Sequence, residues 1–334
     1  MTPNKVLIIQ TAFLGDVILA TGLIEQIIHH NPATQIDFLL KKGNESILSH
    51  NPHIAEVLIL NKQQRISNIL SLLKKIRNKK YDLVVNLHRF ASSGILAGLS
   101  GAKQIIGFDK NPFSFLYTKR YKHQIGSGGQ HEVDRNSLLL ESIYGTKRRL
   151  PKMYYSTLED EQTQPLKSNK YICLAPGSVW FTKRYPKNRW ISLINDLHKD
   201  FYIYLLGAPG EFELCEEIKT QSSHNNIVNL AGKLSITASA SLMKDATMNL
   251  VNDSGPLHIA SAVNAPVTAV FCSTIPAFGF GPLSENSSIL ETTEKLSCRP
   301  CNLHGKVACP LGHFNCANTI NHHNIVQKIN KSLI

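Results

Sequence analysis

The chain has 334 residues, 43% of them hydrophobic and 18% charged, with 36 Lys and Arg against 24 Asp and Glu for a net charge of +12. That is the composition of a globular protein with room for two domains or one large α/β unit. No apolar run reaches the roughly 18 to 20 residues of a membrane span, and Asp16 breaks the apolar N-terminus before a secretory signal can form, so a cytoplasmic protein is expected.

In chain order, "KVLIIQ" (5–10), "QIDFLL" (35–40), "EVLIL" (56–60), "LVVNL" (83–87) and "QIIGF" (104–108) read as buried strands. Helical patterns at 16–30 and 66–80 lie between several of them. Runs that are continuously apolar rather than alternating imply a sheet covered on both faces, hence parallel. Repeated β-α-β order implies a doubly wound sheet. The polar, proline-bearing stretch 151–169 reads as a linker. The alternation then restarts with strands at 171–178, 201–209, 227–232, 248–253 and 266–273, and helices at 189–200, 211–221, 235–246 and 256–264. An amphipathic helix closes the chain at 322–334. The expected domains are 1–165, 166–318 and a terminal helical segment 319–334. Ligands of open α/β sheets bind in the crevice beyond the carboxyl ends of the strands, so the loops there carry the functional expectation.

Four such loops stand out. "TAFLGDVILAT" (11–21) places Gly15 and Asp16 where a strand gives way to a helix; Asp16 is either a first-turn stabiliser or a chemical group. "APGSVWFTKRYPKNRW" offers backbone N–H groups around Gly177, the Ser178 hydroxyl and the charges of Lys183, Arg184 and Lys187, a set suited to an anion or to a solvated basic turn. "LVNDSGPLHIASAV" delivers Asp253, Ser254 and Gly255 to a helix opened by Pro256, with His258 in its first turn. That is a good N-cap and also a ready phosphate site. Two anion-suited loops on one sheet point to a diphosphate. "LLGAPGE" sets Glu211 after a strand, where a carboxylate suits a ribose hydroxyl pair or a helix dipole.

In this order these segments, with "LAGKLSITASASLMKDA" (230–246), resemble glycosyltransferase family 9, which contains the ADP-heptose:lipopolysaccharide heptosyltransferases. "FGFGPLS" (278–284) and the late "CRPC" cluster look most like the branch that adds the second inner-core heptose. The resemblance implies a GT-B fold: two facing Rossmann-like domains, the nucleotide sugar held by the second, the acceptor by the first, and the last helix crossing back to the first. It implies an inverting transfer from ADP-L-glycero-D-manno-heptose without metal or other cofactor. Asp16 falls on the family's proposed base, beside Gly15. Lys183 matches the diphosphate lysine, Asp253, Ser254, Gly255 and His258 the diphosphate and sugar-contact motif, Glu211 the ribose contact, and Leu234 the apolar position against adenine; Gly177 and Ser178 are donor-site candidates from the loop chemistry alone. Tyr185 stands where relatives often have Trp.

The acceptor implied is the lipid A–Kdo–heptose inner core, which is anionic. Residues 1–165 hold 21 Lys and Arg against 13 Asp and Glu, and residues 166–334 hold 15 against 11. Arg89, Lys119, Arg120, His131 and Arg135, with His88, are the candidate acceptor contacts, since guanidinium groups pair bidentately with phosphate or carboxylate; a solvated basic face is the competing reading for each. Peripheral contact with the anionic inner leaflet, a monomer, and no nucleic-acid partner are expected. Cys173, Cys215 and Cys272 read as core residues. Cys298, Cys301, Cys309 and Cys316 follow C-x2-C-x7-C-x6-C with His304 and His313 between. This could hold a structural zinc, but the spacing is unlike paired C-x-x-C knuckles, and reduced thiols or disulfides are preferred. Transfer of another sugar or to another core position, a non-catalytic nucleotide-binding protein on the same frame, and a nucleotide-sugar epimerase are the alternatives.

Overall fold

Two six-stranded sheets, every strand pairing parallel, organise the chain. The computed structural model describes residues 2–61, 63, 65–126 and 129–333, and these fall into two compact units, Met1–Tyr154 and Tyr155–Ile334.

The first unit runs β1 (Lys5–Ile9), α1 (Leu14–His30), β2 (Gln35–Lys41), β3 (Ile54–Leu60), α2 (Arg65–Lys79), β4 (Leu83–Asn86), α3 (Ala91–Gly98), β5 (Gln104–Phe108), β6 (Lys119–Tyr121), α4 (Glu132–Leu138) and α5 (Glu141–Tyr144). The sheet order is β3-β2-β1-β4-β5-β6. Val6, Leu7, Ile8 and Ile9 are all fully buried, as a central strand with helices on each face requires. Because β1 and β4 are neighbours while β1 and β2 run the other way along the sheet, the direction of winding reverses between β1 and β4. Their carboxyl ends therefore open on the first unit's crevice.

The second unit runs α6 (Thr157–Thr163), β7 (Tyr171–Ala175), α7 (Lys187–Asp196), β8 (Tyr202–Leu205), α8 (Phe212–Gln221), β9 (Ile227–Asn229), α9 (Ile236–Lys244), β10 (Met248–Asn252), α10 (Gly255–Ala262), β11 (Val267–Phe271), β12 (Ser287–Glu291), α11 (Asn315–Asn318) and α12 (His323–Lys331). Its order, β12-β11-β10-β7-β8-β9, repeats that of the first, with the reversal between β7 and β10. Trp190, Leu193 and Ile194 of α7 pack with Phe201, Ile203 and Cys215 in its core.

The expected α/β architecture with two Rossmann-like sheets is thus present. Two edge strands, β6 and β12, were not expected as strands: each is short or only half-buried. The division between units falls at Tyr154/Tyr155 rather than after residue 165. The reason is α6, whose polar side chains fasten it to α9. Ser241 Oγ donates to Asp160 Oδ1 at 2.6 Å, Lys167 Nζ bridges Asp160 (2.8 Å) and Asp245 (2.7 Å), and Ser235 and Thr237 both donate to Glu159. The last helix, α12, buries Ile325, Val326 and Ile329 in the core of the second unit beside α7. Asn330 fixes it there, accepting from the His198 N–H at 2.9 Å and donating to the Asp196 carbonyl at 3.1 Å.

The hydrogen bonds from Lys167 and Ser241 pull the Asp160 carboxyl from its ordinary 3.8 to about 2. A carboxyl lowered on folding stabilises the fold above its unfolded value and loses that contribution as pH falls through its folded value. Asp160→Asn should therefore be less stable than the wild type at neutral pH, and denaturation curves of the two should converge as pH falls from 3.8 toward about 2.

Candidate functional site

At the reversal in the first unit, β1 ends at Ile9 and α1 begins at Leu14. Phe13 has extended backbone at the N-cap. Asp16, three residues on, accepts the Phe13 N–H at 3.2 Å. This is the acid half of a capping box, and it fixes the carboxylate at the positive end of the helix dipole. A carboxylate has two oxygens and about four acceptor positions, so the cap leaves capacity for chemistry. Gly15 lies inside the first turn of α1 and not in a positive-φ turn.

Thr11 Oγ1 meets His88 Nδ1 at 2.7 Å and so joins the ends of β1 and β4. Arg89 is exposed, its guanidinium 5.5 Å from the Phe90 ring centre. The end of β2, the other neighbour of β1, supplies Lys41, whose ammonium lies 4.6 Å from the Phe13 ring centre. Three adjacent strand ends thus present an acid, two cations and two exposed aromatic rings. Lys41 was missed by sequence reasoning, although "LLKKG" marks it as a charge immediately after a buried run.

Two other acceptor candidates stand apart from these strand ends. Lys119 and Arg120 are exposed on β6, the edge strand, three strands from β1, or about 14 Å at ordinary strand spacing. His131 caps α4, its Nδ1 accepting the Val133 N–H at 3.1 Å. Arg135 lies inside the unit. It is 2% exposed, its Nε donates to Glu132 Oε2 at 2.7 Å, and another guanidinium nitrogen donates to the Gln130 carbonyl. Burial raises the Glu132 carboxyl, but the hydrogen bond and charge of His123 and the charge of Arg135 outweigh it and leave the group lowered. Arg135 is the internal partner of that acid and not a surface contact.

In the second unit the reversal brings its two marked loops together. Asn252, at the end of β10, donates from Nδ2 to the carbonyls of Pro176 (2.7 Å) and Gly177 (3.2 Å), and its Oδ1 accepts the Tyr185 N–H at 3.0 Å. The next residue, Asp253, is buried, and its Oδ2 receives the Lys183 ammonium at 2.7 Å and the Thr274 hydroxyl at 2.6 Å. Arg184 donates from Nε to the Ser178 carbonyl at 2.7 Å. Ser254 is the N-cap of α10 and Gly255 its first residue, with Pro256 in the first turn. The first N–H groups of α10 therefore open beside Lys183 and Asp253, an arrangement that binds anions. His258 is buried one turn in, edge-on to Phe280 at 6.4 Å.

Glu211 follows β8. Its Oε2 accepts the Ala208 N–H at 2.8 Å. Its carboxylate lies against Gly177 so closely that a Cβ added there would stand 1.7 Å from Glu211 Oε1. The loops after β8 and β9 are tied by the Gly232 N–H and the Gly207 carbonyl at 2.9 Å, and Leu234, half-exposed, lies two residues further on. The structure thus collects Gly177, Ser178, Lys183, Glu211, Asp253, Ser254 and Gly255 at one edge of one sheet. Asn252 and Thr274 complete the group and were not singled out from sequence.

The four late cysteines are free thiols. Burial, with Cys301 and Cys309 nearby, pushes Cys316 up to about 11, and burial also raises Cys301. Cys298 Sγ lies 4.0 Å from His313 Nε2. Among the described residues no three His, Cys, Asp or Glu converge as a metal site.

The sequence profile of glycosyltransferase family 9 (heptosyltransferase) matches residues 69–308. The chain belongs to glycosyltransferase family 9. This family 9 chain is 28% identical over 289 residues to lipopolysaccharide heptosyltransferase 3 of Escherichia coli, covering 82% of this chain and 85% of that one. It shares its fold with E. coli ADP-heptose LPS heptosyltransferase II (TM-score 0.80, 21% identity, 98% of each chain). It also shares its fold with E. coli heptosyltransferase WaaC solved with ADP (TM-score 0.74, 19% identity, 98% of this chain and 99% of that one). Two six-stranded parallel sheets with covering helices are the GT-B architecture of these structures, and family membership makes the protein a glycosyltransferase.

The contact between Gly177 and Glu211 makes a direct prediction for this family 9 enzyme. Gly177→Ala should displace the Glu211 carboxylate and, if these strand ends hold a nucleotide, weaken ADP binding by about tenfold, the scale of one hydrogen bond to a charged group. Isothermal titration should show Glu211→Ala with a loss of similar size and the double variant with little more than either.

Proposed function

We propose that the enzyme transfers L-glycero-D-manno-heptose, with inversion and without a metal, from ADP-heptose to the inner-core heptose of lipopolysaccharide. The observation that carries this reading is the ion pair of Lys183 and Asp253 at the first turn of α10, beside the Gly177–Glu211 contact. A cation, an N–H-rich helix start and a glycine loop suit a diphosphate, and the adjoining carboxylate suits a ribose. The E. coli relative solved with ADP supports the choice of nucleotide.

Transfer requires a base for the acceptor hydroxyl and charge stabilisation for departing ADP. Asp16 takes the proton as the acceptor oxygen attacks the anomeric carbon from the face opposite the diphosphate, which inverts that centre. Lys183, the N–H groups at Ser254 and Gly255 and the positive end of α10 stabilise the leaving group. Lys41 and Arg89, with the more distant Lys119 and Arg120, attract an anionic acceptor. Contact of the basic first unit with the anionic leaflet follows from the same charge; no helix among the described residues is long and apolar enough to cross a membrane. A monomer carries the complete set of groups. A second reading, addition at a further heptose of the core, is favoured by the relative named heptosyltransferase 3.

Incubation with ADP-heptose and a series of lipopolysaccharides truncated at successive inner-core positions, followed by mass analysis, tests both readings. One added heptose on the acceptor ending in the first heptose is expected. Product only on longer cores would replace the first reading with the second, and none on any acceptor would end both. Asp16→Asn retains an oxygen to accept the Phe13 N–H, so it should keep its fold and its ADP affinity while turnover falls about a hundredfold or more. Transfer should proceed undiminished in EDTA; loss restored by added divalent cation would refute the metal-free mechanism.

A further inference from the structure

The donor lysine is surrounded by groups that the transfer chemistry does not itself require. Thr274 is 1% exposed and lies three residues beyond β11; its hydroxyl and the Lys183 ammonium share the same oxygen, Asp253 Oδ2. The Thr274 carbonyl accepts from Arg299 Nη2 at 2.9 Å. The same guanidinium reaches the carbonyls of Cys272 (2.7 Å, from Nε) and Phe271 (3.2 Å), and the Glu291 carboxylate on β12 at 2.6 Å. Arg299 stands inside the C-R-P-C run, between Cys298 and Cys301.

The rest of that loop closes on Lys183 from the other side. The Cys301 N–H donates to the Ser273 carbonyl at 3.0 Å. The Lys306 N–H and the Ser273 hydroxyl both donate to Thr182 Oγ1, at 2.8 and 2.9 Å. Gly305, at φ +83°, lies over the lysine's aliphatic stem, where an added Cβ would be 2.9 Å from Lys183 Cγ.

We infer that the segment 298–306 is a bracket for the donor lysine, and that Thr274 and Arg299 are positioning residues for binding of the nucleoside diphosphate. The inference rests on the reading of Lys183 and Asp253 as donor-site groups. Asp253 is a buried carboxylate and must keep a partner. If Lys183 were its sole partner, the carboxylate would hold the ammonium against any incoming phosphate. The neutral Thr274 hydroxyl satisfies the carboxylate without adding positive charge, so Lys183 turns toward the diphosphate and leaves no buried orphan. Arg299 acts one step further back. Its planar fork spans three carbonyls at the end of β11 and sets the backbone that aims Thr274, a task the single ammonium of a lysine does not perform.

The test compares wild type with Thr274→Val, Thr274→Ser, Arg299→Lys and Lys183→Ala by ADP titration, donor and acceptor kinetics, and melting temperature. Thr274→Val keeps the shape of the side chain. It should weaken ADP binding about tenfold and raise the donor KM by a similar factor, with the acceptor KM unchanged. Thr274→Ser should restore both to within about twofold. Arg299→Lys should shift ADP affinity in the same direction, beyond any change in melting temperature. Thr274→Val or Arg299→Lys binding ADP like wild type, while Lys183→Ala does not, would overturn the positioning role alone. A Thr274→Val defect that serine fails to rescue would do the same. Unchanged ADP binding in Lys183→Ala, or no ADP binding by the wild type, would overturn the donor-site reading and this inference with it.

Discussion

Asn252 is fully buried at the carboxyl end of β10, and its amide is spent on other segments: two carbonyls of the loop after β7 and the N–H of Tyr185 before α7. A buried amide left unmet is costly, so these bonds hold the two loops at one separation. That separation decides where Gly177 meets Glu211, where Lys183 meets Asp253, and where α10 begins. The parallel ladder sets the direction and spacing of the strand ends; one side chain, Asn252, ties the loop after β7 to the end of β10.

The two sheets share one strand order but present different chemistry at their reversals. Near β1 and β4 the structure offers one helix-capping acid among cations and exposed rings. Near β7 and β10 it offers a buried ion pair and a helix start. On the proposed transfer reading, this division would match the two demands of the reaction, proton removal at the first unit's acid and leaving-group stabilisation at the second unit's helix start.

Most of the sheet was legible because a strand buried on both faces is written as a continuous apolar run; β1, β7 and β11 are examples. β6 and β12 were not, because an edge strand needs no such run, and "KRY" and "SSILE" also read as loop. The division at Tyr154/Tyr155 was not legible because α6 is held by polar bonds rather than an apolar stripe. The Ser156–Glu159 capping box was nonetheless present in "STLE", a start signal that the proline-rich surroundings masked. At the site, the marked loops were legible from glycine and charge at strand ends. The burial of Arg135 was not legible from its charge alone, although Glu132 three residues earlier was available to pair with it. Thr274 and Arg299 were illegible for another reason: the bonds that join Thr274 to Asp253, and Arg299 to the Cys272 and Thr274 carbonyls, span 21 residues or more, and only the fold makes them.

The close pairing of Lys183 with Asp253 has a consequence for selectivity. A lone exposed ammonium in a protein of this net charge would welcome any small anion. Here its charge is already offset internally, so inorganic phosphate or chloride meets a nearly neutral pair and gains little by intruding. Only a ligand that also engages the helix start and the Glu211 carboxylate gathers enough simultaneous bonds to draw the ammonium away. The internal pair therefore weakens the pull of a single small anion and favours a ligand that bonds to several of these groups at once.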